Sequence, residues 1–170
     1  MSTARSSTWS GPAPDEVVVV GVHAGQDLRV VDAAAGLARR LAAGLVAVWV
    51  DPTRVVVRRE TDGTLDLTPV DPDDDDVLGQ VTAADELAER IGQHLAADGP
   101  TWRFVYAAGE VAHELAAVVA QHSTAYVVVG SRRPGLAGWM NEAIGGSIAG
   151  RLAHTQAVPV VVVPLPGERR

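Results

Sequence analysis

The sequence contains no cysteine, and its 14 basic residues are outnumbered by 21 acidic ones. Without cysteine, disulfide bonds and thiolate zinc sites are both excluded. The formal net charge of −7 argues against nucleic-acid binding, which needs a clustered basic face. The apolar runs are also too short to cross a membrane. We therefore expect no disulfide framework, no nucleic-acid partner and no membrane span.

The length and composition are typical of one globular domain. A chain of 170 residues with 47% apolar and 21% charged residues has enough apolar surface for a real core. The first fourteen residues lack the apolar centre of a signal peptide, and they predict a mobile tail over residues 1–14. We expect a cytoplasmic protein whose single domain covers residues 15–166.

Strand and helix patterns alternate along the chain, which predicts right-handed βαβ units and a mainly parallel sheet with helices on both faces. The predicted strands are Val17–Gly21, Leu45–Val50, Trp102–Ala107, Ala125–Gly130 and Val158–Val163. The predicted helices are Asp27–Ala43, Thr82–Ala97, Glu110–His122 and Ser147–His154. Gly44 is expected to end the first helix, and Thr82 with Asp85 resembles a capping box at the start of the second.

One region, about residues 54–80, interrupts the alternation. Two β-prone runs, Arg54–Glu60 and Thr64–Val70, flank a Thr-Asp-Gly turn signal and predict a hairpin insertion. The acidic run at 71–76 follows. A hard cation is one conceivable ligand for it, but the run lacks the spacing and the glycine of a calcium loop. We therefore interpret it as a solvated linker.

The last quarter of the chain carries the strongest functional signal. A continuous apolar run ends at Gly130, a glycine-rich loop follows, and a helical pattern begins near Ser147. Free backbone N–H groups and the positive end of a helix dipole make such a loop a candidate phosphate site. Alternatively, the glycines only turn the chain and let a helix approach the sheet.

In a doubly wound sheet, ligands bind at the carboxyl ends of the strands where the strand order reverses. If the first and fourth predicted strands are neighbours there, their following turns form one crevice. The candidate binding residues are Val22, His23, Val50, Asp51, Gly130, Ser131, Arg132, Arg133, Gly135, Gly145, Gly146 and Ser147. The helical histidines stand at unrelated spacings, so no metal site is predicted.

Several of these residues have a plainer interpretation beside the functional one. The two arginines can bind phosphate bidentately or simply be solvated. Asp51 can meet a ribose hydroxyl or stabilise the turn before Pro52. His23 can contact a base edge or a ribose, or be an ordinary polar turn residue. Ser147 can cap its helix or donate to a phosphate, or do each in turn.

The order of elements, the block YAAGEVAHELAAVVAQHSTAYVVVGSRR and the segment GGSIAGRLAHTQAVPVVVV together resemble the universal stress protein family. The resemblance implies a five-stranded parallel α/β sheet with strand order 3-2-1-4-5. It also implies a homodimer, and an adenine nucleotide, with Mg²⁺ if that nucleotide is ATP.

The family's nucleotide binders carry glycine, two residues, glycine, nine residues, then glycine followed by Ser or Thr. Gly130 matches the first glycine and Gly146-Ser147 matches the final pair. Arg133 stands at the second glycine, and Gly135, which nine residues separate from Gly145, is expected to replace it. His23 stands where these binders have an acidic residue. The segment VVAVWVDPTR and Ser131-Arg132-Arg133 also look like the stress-protein-like domain of potassium-sensing histidine kinases, which adds cyclic nucleotides to the candidate ligands.

The sequence favours a binding module over an enzyme, because it shows no Ser/His/Asp elbow and no P-loop lysine. Slow ATP hydrolysis is a third possibility. The rival hypothesis is a stress-family dimer that binds no nucleotide and acts on unknown protein partners through its hairpin insertion. In either case the β-prone run Val158–Val163 is expected at the sheet edge, where pairing with a second copy would cover it.

Overall fold

The structure is a computed structural model that describes residues 4–59, 65–71, 77–95, 99–131 and 148–165. Its strands are β1 (Ala4–Ser6), β2 (Val17–Val22), β3 (Gly44–Asp51), β4 (Arg54–Arg59), β5 (Leu65–Pro69), β6 (Trp102–Ala108), β7 (Thr124–Gly130) and β8 (Val160–Val163). Its helices are α1 (Arg29–Leu41), α2 (Val77–Leu95), α3 (Val111–Ala120) and α4 (Ile148–Thr155). None of the helices in these ranges is long and apolar enough to cross a membrane.

The main sheet has the strand order β1-β6-β3-β2-β7-β8. All neighbours from β6 to β8 pair in parallel, whereas β1 pairs antiparallel with β6. Without β1, the strands in chain order read 3-2-1-4-5, so the predicted doubly wound fold is confirmed. The separate β4–β5 hairpin confirms the predicted insertion. Its turn, residues 60–64, and the acidic residues 72–76 lie outside the described residues.

The valine runs form strands because both faces of the sheet are covered. Successive side chains of a strand point to opposite faces. Val18 and Val20 accordingly join the core under α1 and α2, while Val17 and Val19 join the core under α3 and α4. This continuous burial explains why the strands read as unbroken apolar runs.

Gly44 does not end α1, which corrects the sequence prediction. The helix ends at Leu41, and Ala42 takes the left-handed conformation with φ 53°, where its N–H reaches the last turn. Gly44 instead begins β3, where a Cβ would clash with Pro14 Cγ. Glycine is needed there because the N-terminal segment crosses close to the strand.

The start of α2 was also predicted wrongly. The helix begins at Val77, so Thr82 lies inside it and the predicted capping box does not form. At α3 the boundary prediction was close: Glu110 is the N-cap, and its carboxylate accepts hydrogen bonds from the N–H groups of Ala112 and His113.

The N-terminal segment contains a strand that the sequence analysis did not predict. Ala4–Ser6 pairs with the edge strand β6, within the stretch that was expected to be a mobile tail. Ser7 N–H donates to Phe104 O at 2.8 Å, and Ser10 N–H donates to Trp102 O at 2.9 Å. The segment pairs because β6 offers unsatisfied backbone groups at the edge of the sheet.

Candidate functional site

The carboxyl ends of β2 and β7 lie side by side at the point where the strand order reverses. The two strands pair in parallel, with Val20 opposite Val128. The chain leaves β2 for α1 on one face of the sheet, while α4 packs on the other face. Helices that diverge in this way leave a crevice above the strand ends, which is the geometry of a ligand site in this class of sheet.

Half of the sequence-predicted site residues are placed by the structure. Those at the carboxyl edge are Val22, His23, Val50, Asp51, Gly130 and Ser131. Those outside the described residues are Arg132, Arg133, Gly135, Gly145, Gly146 and Ser147. Val22 and Val50 are buried in opposite cores, so their side chains face the interior of the protein.

The turn after β2 is stabilised by hydrogen bonds between its own residues. Gly25 has φ +73°, a conformation that favours glycine. Gln26 N–H donates to His23 O at 3.2 Å, and His23 N–H donates to Gln26 Oε1 at 3.0 Å. The ring Nδ1 of His23 lies 2.8 Å from Ala24 O, so the imidazole is held against its own turn.

Gln26 is a site residue that the sequence analysis missed. Its side chain is only 6% exposed, and it reaches from the β2 turn towards the end of β7. A Cβ placed on Gly130 would lie 2.8 Å from Gln26 Nε2. A buried glutamine four residues after a strand carries no recognised sequence signal, because its burial depends on a neighbouring strand far along the chain.

Ser131 joins the end of β7 to the segment after β8. Its N–H donates to Val163 O at 2.7 Å, and its hydroxyl accepts from Leu165 N–H at 2.9 Å. The side chain of Leu165 also lies over Gly130, since a Cβ there would be 2.8 Å from Leu165 Cδ1. A side chain at position 130 would therefore have to displace the ends of the Gln26 and Leu165 side chains.

Asp51 performs the turn role that the sequence had left open beside ribose binding. The buried carboxylate accepts from Thr53 N–H at 2.9 Å and from Thr53 Oγ1 at 2.7 Å through Oδ1. Its Oδ2 accepts from the Tyr106 hydroxyl at 3.1 Å. Both carboxylate oxygens are therefore already engaged within the protein.

An ion pair at the same edge of the sheet was also missed. Arg151 of α4 holds both carboxylate oxygens of Glu110, with Nη1–Oε1 and Nη2–Oε2 distances of 2.8 Å. Burial raises the pKa of Glu110, but the hydrogen bonds from Ala112 and His113 and the charge of Arg151 together hold that pKa below its ordinary value. The pair fastens α4 to the start of α3.

Within the part of the chain that the structure describes, no group of three or more His, Asp or Glu side chains is arranged to hold a metal ion. The polar side-chain groups described at this edge include the Gln26 amide and the Ser131 hydroxyl. Such groups bind polar ligands by hydrogen bonding.

Comparison with known proteins identifies the family of this chain. The model of the universal stress protein family matches residues 16–164. Among solved structures, the universal stress protein of Archaeoglobus fulgidus in complex with dAMP superposes with TM-score 0.58 at 17% identity, covering 86% of this chain and 96% of that one. A universal stress protein in complex with cAMP gives TM-score 0.57 at 19% identity, covering 90% and 98%.

A third solved structure, UspA from Lactobacillus plantarum, gives TM-score 0.59 at 18% identity and covers 90% of this chain and 99% of its own. Curated protein sequences give no significant match. At these identities the structures demonstrate a shared fold, while the family model spans most of the sequence. The chain belongs to the universal stress protein family.

Proposed function

We propose that this protein binds an adenine nucleotide, ATP or a related signalling nucleotide, in the crevice between the ends of β2 and β7, and that it acts in a stress response. The observation that carries the proposal is the adjacency of these two strand ends at the reversal of strand order, with Gly130 at the crevice. Two structural neighbours in the family were solved with dAMP and with cAMP, which supports the same ligand class.

The proposed role of each residue in nucleotide binding follows from its chemistry. Phosphate oxygens would accept from backbone N–H groups around Gly145, Gly146 and Ser147, with Gly135 allowing close approach and Arg132 or Arg133 adding charge. His23 and the backbone at Val50 would border the nucleoside. Mg²⁺ would accompany the phosphates when the nucleotide is ATP. Asp51 would act indirectly, by holding the turn after β3.

Calorimetric titration with ATP and Mg²⁺, and separately with cAMP, tests the proposal. We expect one saturable site per chain, with affinity at least tenfold weaker in Gly146→Val because a side chain would block the phosphate approach. Gly36→Val is the matched control, since a Cβ on Gly36 meets nothing within 4 Å. Absence of binding to both nucleotides at millimolar concentration would show that the glycine loop is structural.

The rival function, action through protein partners, also has an observation in its favour. Val55, Val57 and Val70 on and beside the hairpin are 44%, 64% and 60% exposed. Exposed apolar side chains grouped in this way are typical of contact surfaces. If the hairpin binds a partner, Val57→Asp abolishes that partner's co-purification while Leu41→Asp, at an exposed leucine on α1, preserves it. A partner retained by both variants would exclude the hairpin as the contact.

We also propose a homodimer formed through β8, the open edge of the sheet. Val162 is 47% exposed, and the strand carries no charge or proline that would discourage pairing. Light scattering at micromolar concentration tests this, and a clean monomer would contradict it. The cytoplasmic location stays a prediction from the sequence.

A further inference from the structure

The space directly above Gly130, at the mouth of the crevice, is filled by the protein's own side chains. A Cβ on residue 130 would lie 2.8 Å from both Gln26 Nε2 and Leu165 Cδ1, and 3.4 Å from Leu165 Cγ. Contacts under 3.0 Å do not occur at real Cβ atoms, so neither side chain leaves room above the glycine. Gln26 approaches from the β2 turn, and Leu165 approaches from the segment after β8.

The segment Val163–Leu165, called the strap here, is fastened at two points, both on Ser131. The backbone bond from Ser131 N–H to Val163 O extends the β7–β8 pairing by one residue. The hydrogen bond from Leu165 N–H to Ser131 Oγ then holds the chain against the end of β7. Pro164 stands between the two points and restricts the backbone there.

The strap is held much less firmly than the core around it. Leu165 is half-buried, and within the described part of the chain its backbone is anchored by a hydrogen bond to a side-chain hydroxyl, whereas Leu152 on α4 is completely buried. Segments with few buried contacts open at low free-energy cost while the rest of the fold stays intact. Leu165 is therefore able to leave Gly130 without disturbing β7 or β8.

We propose that the strap is an autoinhibitory cover on the nucleotide crevice, and that a bound nucleotide displaces Leu165 from above Gly130. The inference rests on the proposed function, since it assigns a regulation to that same site. Leu165 and a ligand atom placed where a Cβ of residue 130 would stand exclude each other, because both need the same volume. The observed affinity is then the intrinsic affinity reduced by the fraction of molecules whose strap is open.

Leu165→Ala tests the proposal directly. The variant removes the apolar contact that closes the strap, and ATP with Mg²⁺ should bind with a Kd about fivefold to tenfold lower, the effect of losing roughly half of a leucine's burial. Leu41→Ala is the matched control, because it makes the same substitution at an exposed residue near the amino ends of the strands, away from the crevice. Its Kd should equal that of the unsubstituted protein.

Hydrogen exchange gives a second readout that an ordinary structural role would not move. Ligands usually slow amide exchange across a protein, but saturating ATP should speed exchange at Leu165, because displacement breaks its bond to Ser131 Oγ. Amides of β2, such as those of Val18 and Val19 in the centre of the sheet, should be unchanged or slowed.

The outcomes distinguish the proposed autoinhibitory cover from the proposed nucleotide binding. If ATP and cAMP bind neither the unsubstituted protein nor Leu165→Ala, the nucleotide function fails and the cover fails with it. If both proteins bind with equal Kd and Leu165 exchange is not accelerated, only the cover is overturned. A higher Kd in Leu165→Ala would make Leu165 a wall of the site and would also overturn the cover. Tighter binding with faster Leu165 exchange supports both proposals.

Discussion

The two edges of the five-stranded parallel sheet differ in whether another strand of the chain covers them. At the β6 edge, Ala4–Ser6 of the same chain adds an antiparallel strand, while the β8 edge lies at the other end of the sheet with Val162 exposed. The covering segment has few β-branched residues, and the open strand is entirely valine. The contrast teaches that an edge is covered by hydrogen-bonding partners for its backbone rather than by the most β-prone sequence available.

The covered edge relies on serine hydroxyls as well as on backbone pairing. Ser7 Oγ accepts from Phe104 N–H at 2.9 Å, and Ser10 Oγ accepts from Trp102 N–H at 3.0 Å. Trp9 packs on the core beneath, with Arg103 5.2 Å above its ring. Burial lowers the pKa of Arg103, and a cation over an aromatic face offsets part of its desolvation.

Removing residues 1–10 is expected to have the largest effect. The β6 edge would lose its strand pairing and the packing of Trp9, so the free energy of unfolding should fall by about 3 kcal/mol. Urea unfolding at equal protein concentration measures the loss. Trp9→Ala, which keeps the serine hydrogen bonds, should lose about half as much. An unchanged unfolding midpoint after the truncation would show that the segment contributes nothing to the edge.

Val162→Pro should convert the proposed dimer to a monomer. Val127 and Ser131 N–H groups donate to Pro159 O and Val163 O, so the alternate residue Val162 turns its backbone N–H away from β7. Proline is tolerated at such an outward position, yet it removes a donor that a second copy would need. Size-exclusion chromatography with light scattering measures the change. Val162→Ala is the control, and it should remain dimeric.

Glu110→Gln should have the smallest effect of the three changes. Glu110 pairs with Arg151 of α4, the helix that precedes the open edge strand β8. Loss of the exposed ion pair with Arg151 should cost about 0.5 kcal/mol at pH 7. Because the folded pKa of Glu110 lies below its ordinary 4.5, this stability is present above pH 4.5 and is lost as the pH falls through the folded pKa. The difference from the unsubstituted protein should therefore vanish once the pH falls below the folded pKa of Glu110. Glu86→Gln, which removes a charge at an exposed site on α2, is the matched control and should change the free energy of unfolding at pH 7 by less than Glu110→Gln does.

Much of the fold could be predicted from local patterns. Unbroken valine runs indicated strands buried on both faces, and apolar residues at helical spacing indicated the helices between them. The strand order came from resemblance rather than from pattern. The errors fell at boundaries: α2 begins at Val77 rather than Thr82, and Gly44 begins a strand instead of ending a helix.

The candidate site was less accessible to sequence reasoning. The location at the ends of β2 and β7 followed from the fold, but Gln26 and the Glu110–Arg151 pair carry no local motif. Asp51 was left open between two roles, and the contacts with Thr53 and Tyr106 show the turn role. These roles depend on neighbours that only the folded chain supplies.

By itself, the sequence determined the five parallel strands, the hairpin and the helices, because propensity and periodicity act over a few residues. The tertiary structure decided which sheet edge is covered and what lies above Gly130. The covering bond from Phe104 N–H to Ser7 Oγ spans 97 positions, and the bond from Leu165 N–H to Ser131 Oγ spans 34. Such contacts form only when distant segments are brought together by chain closure, and no local pattern records the result.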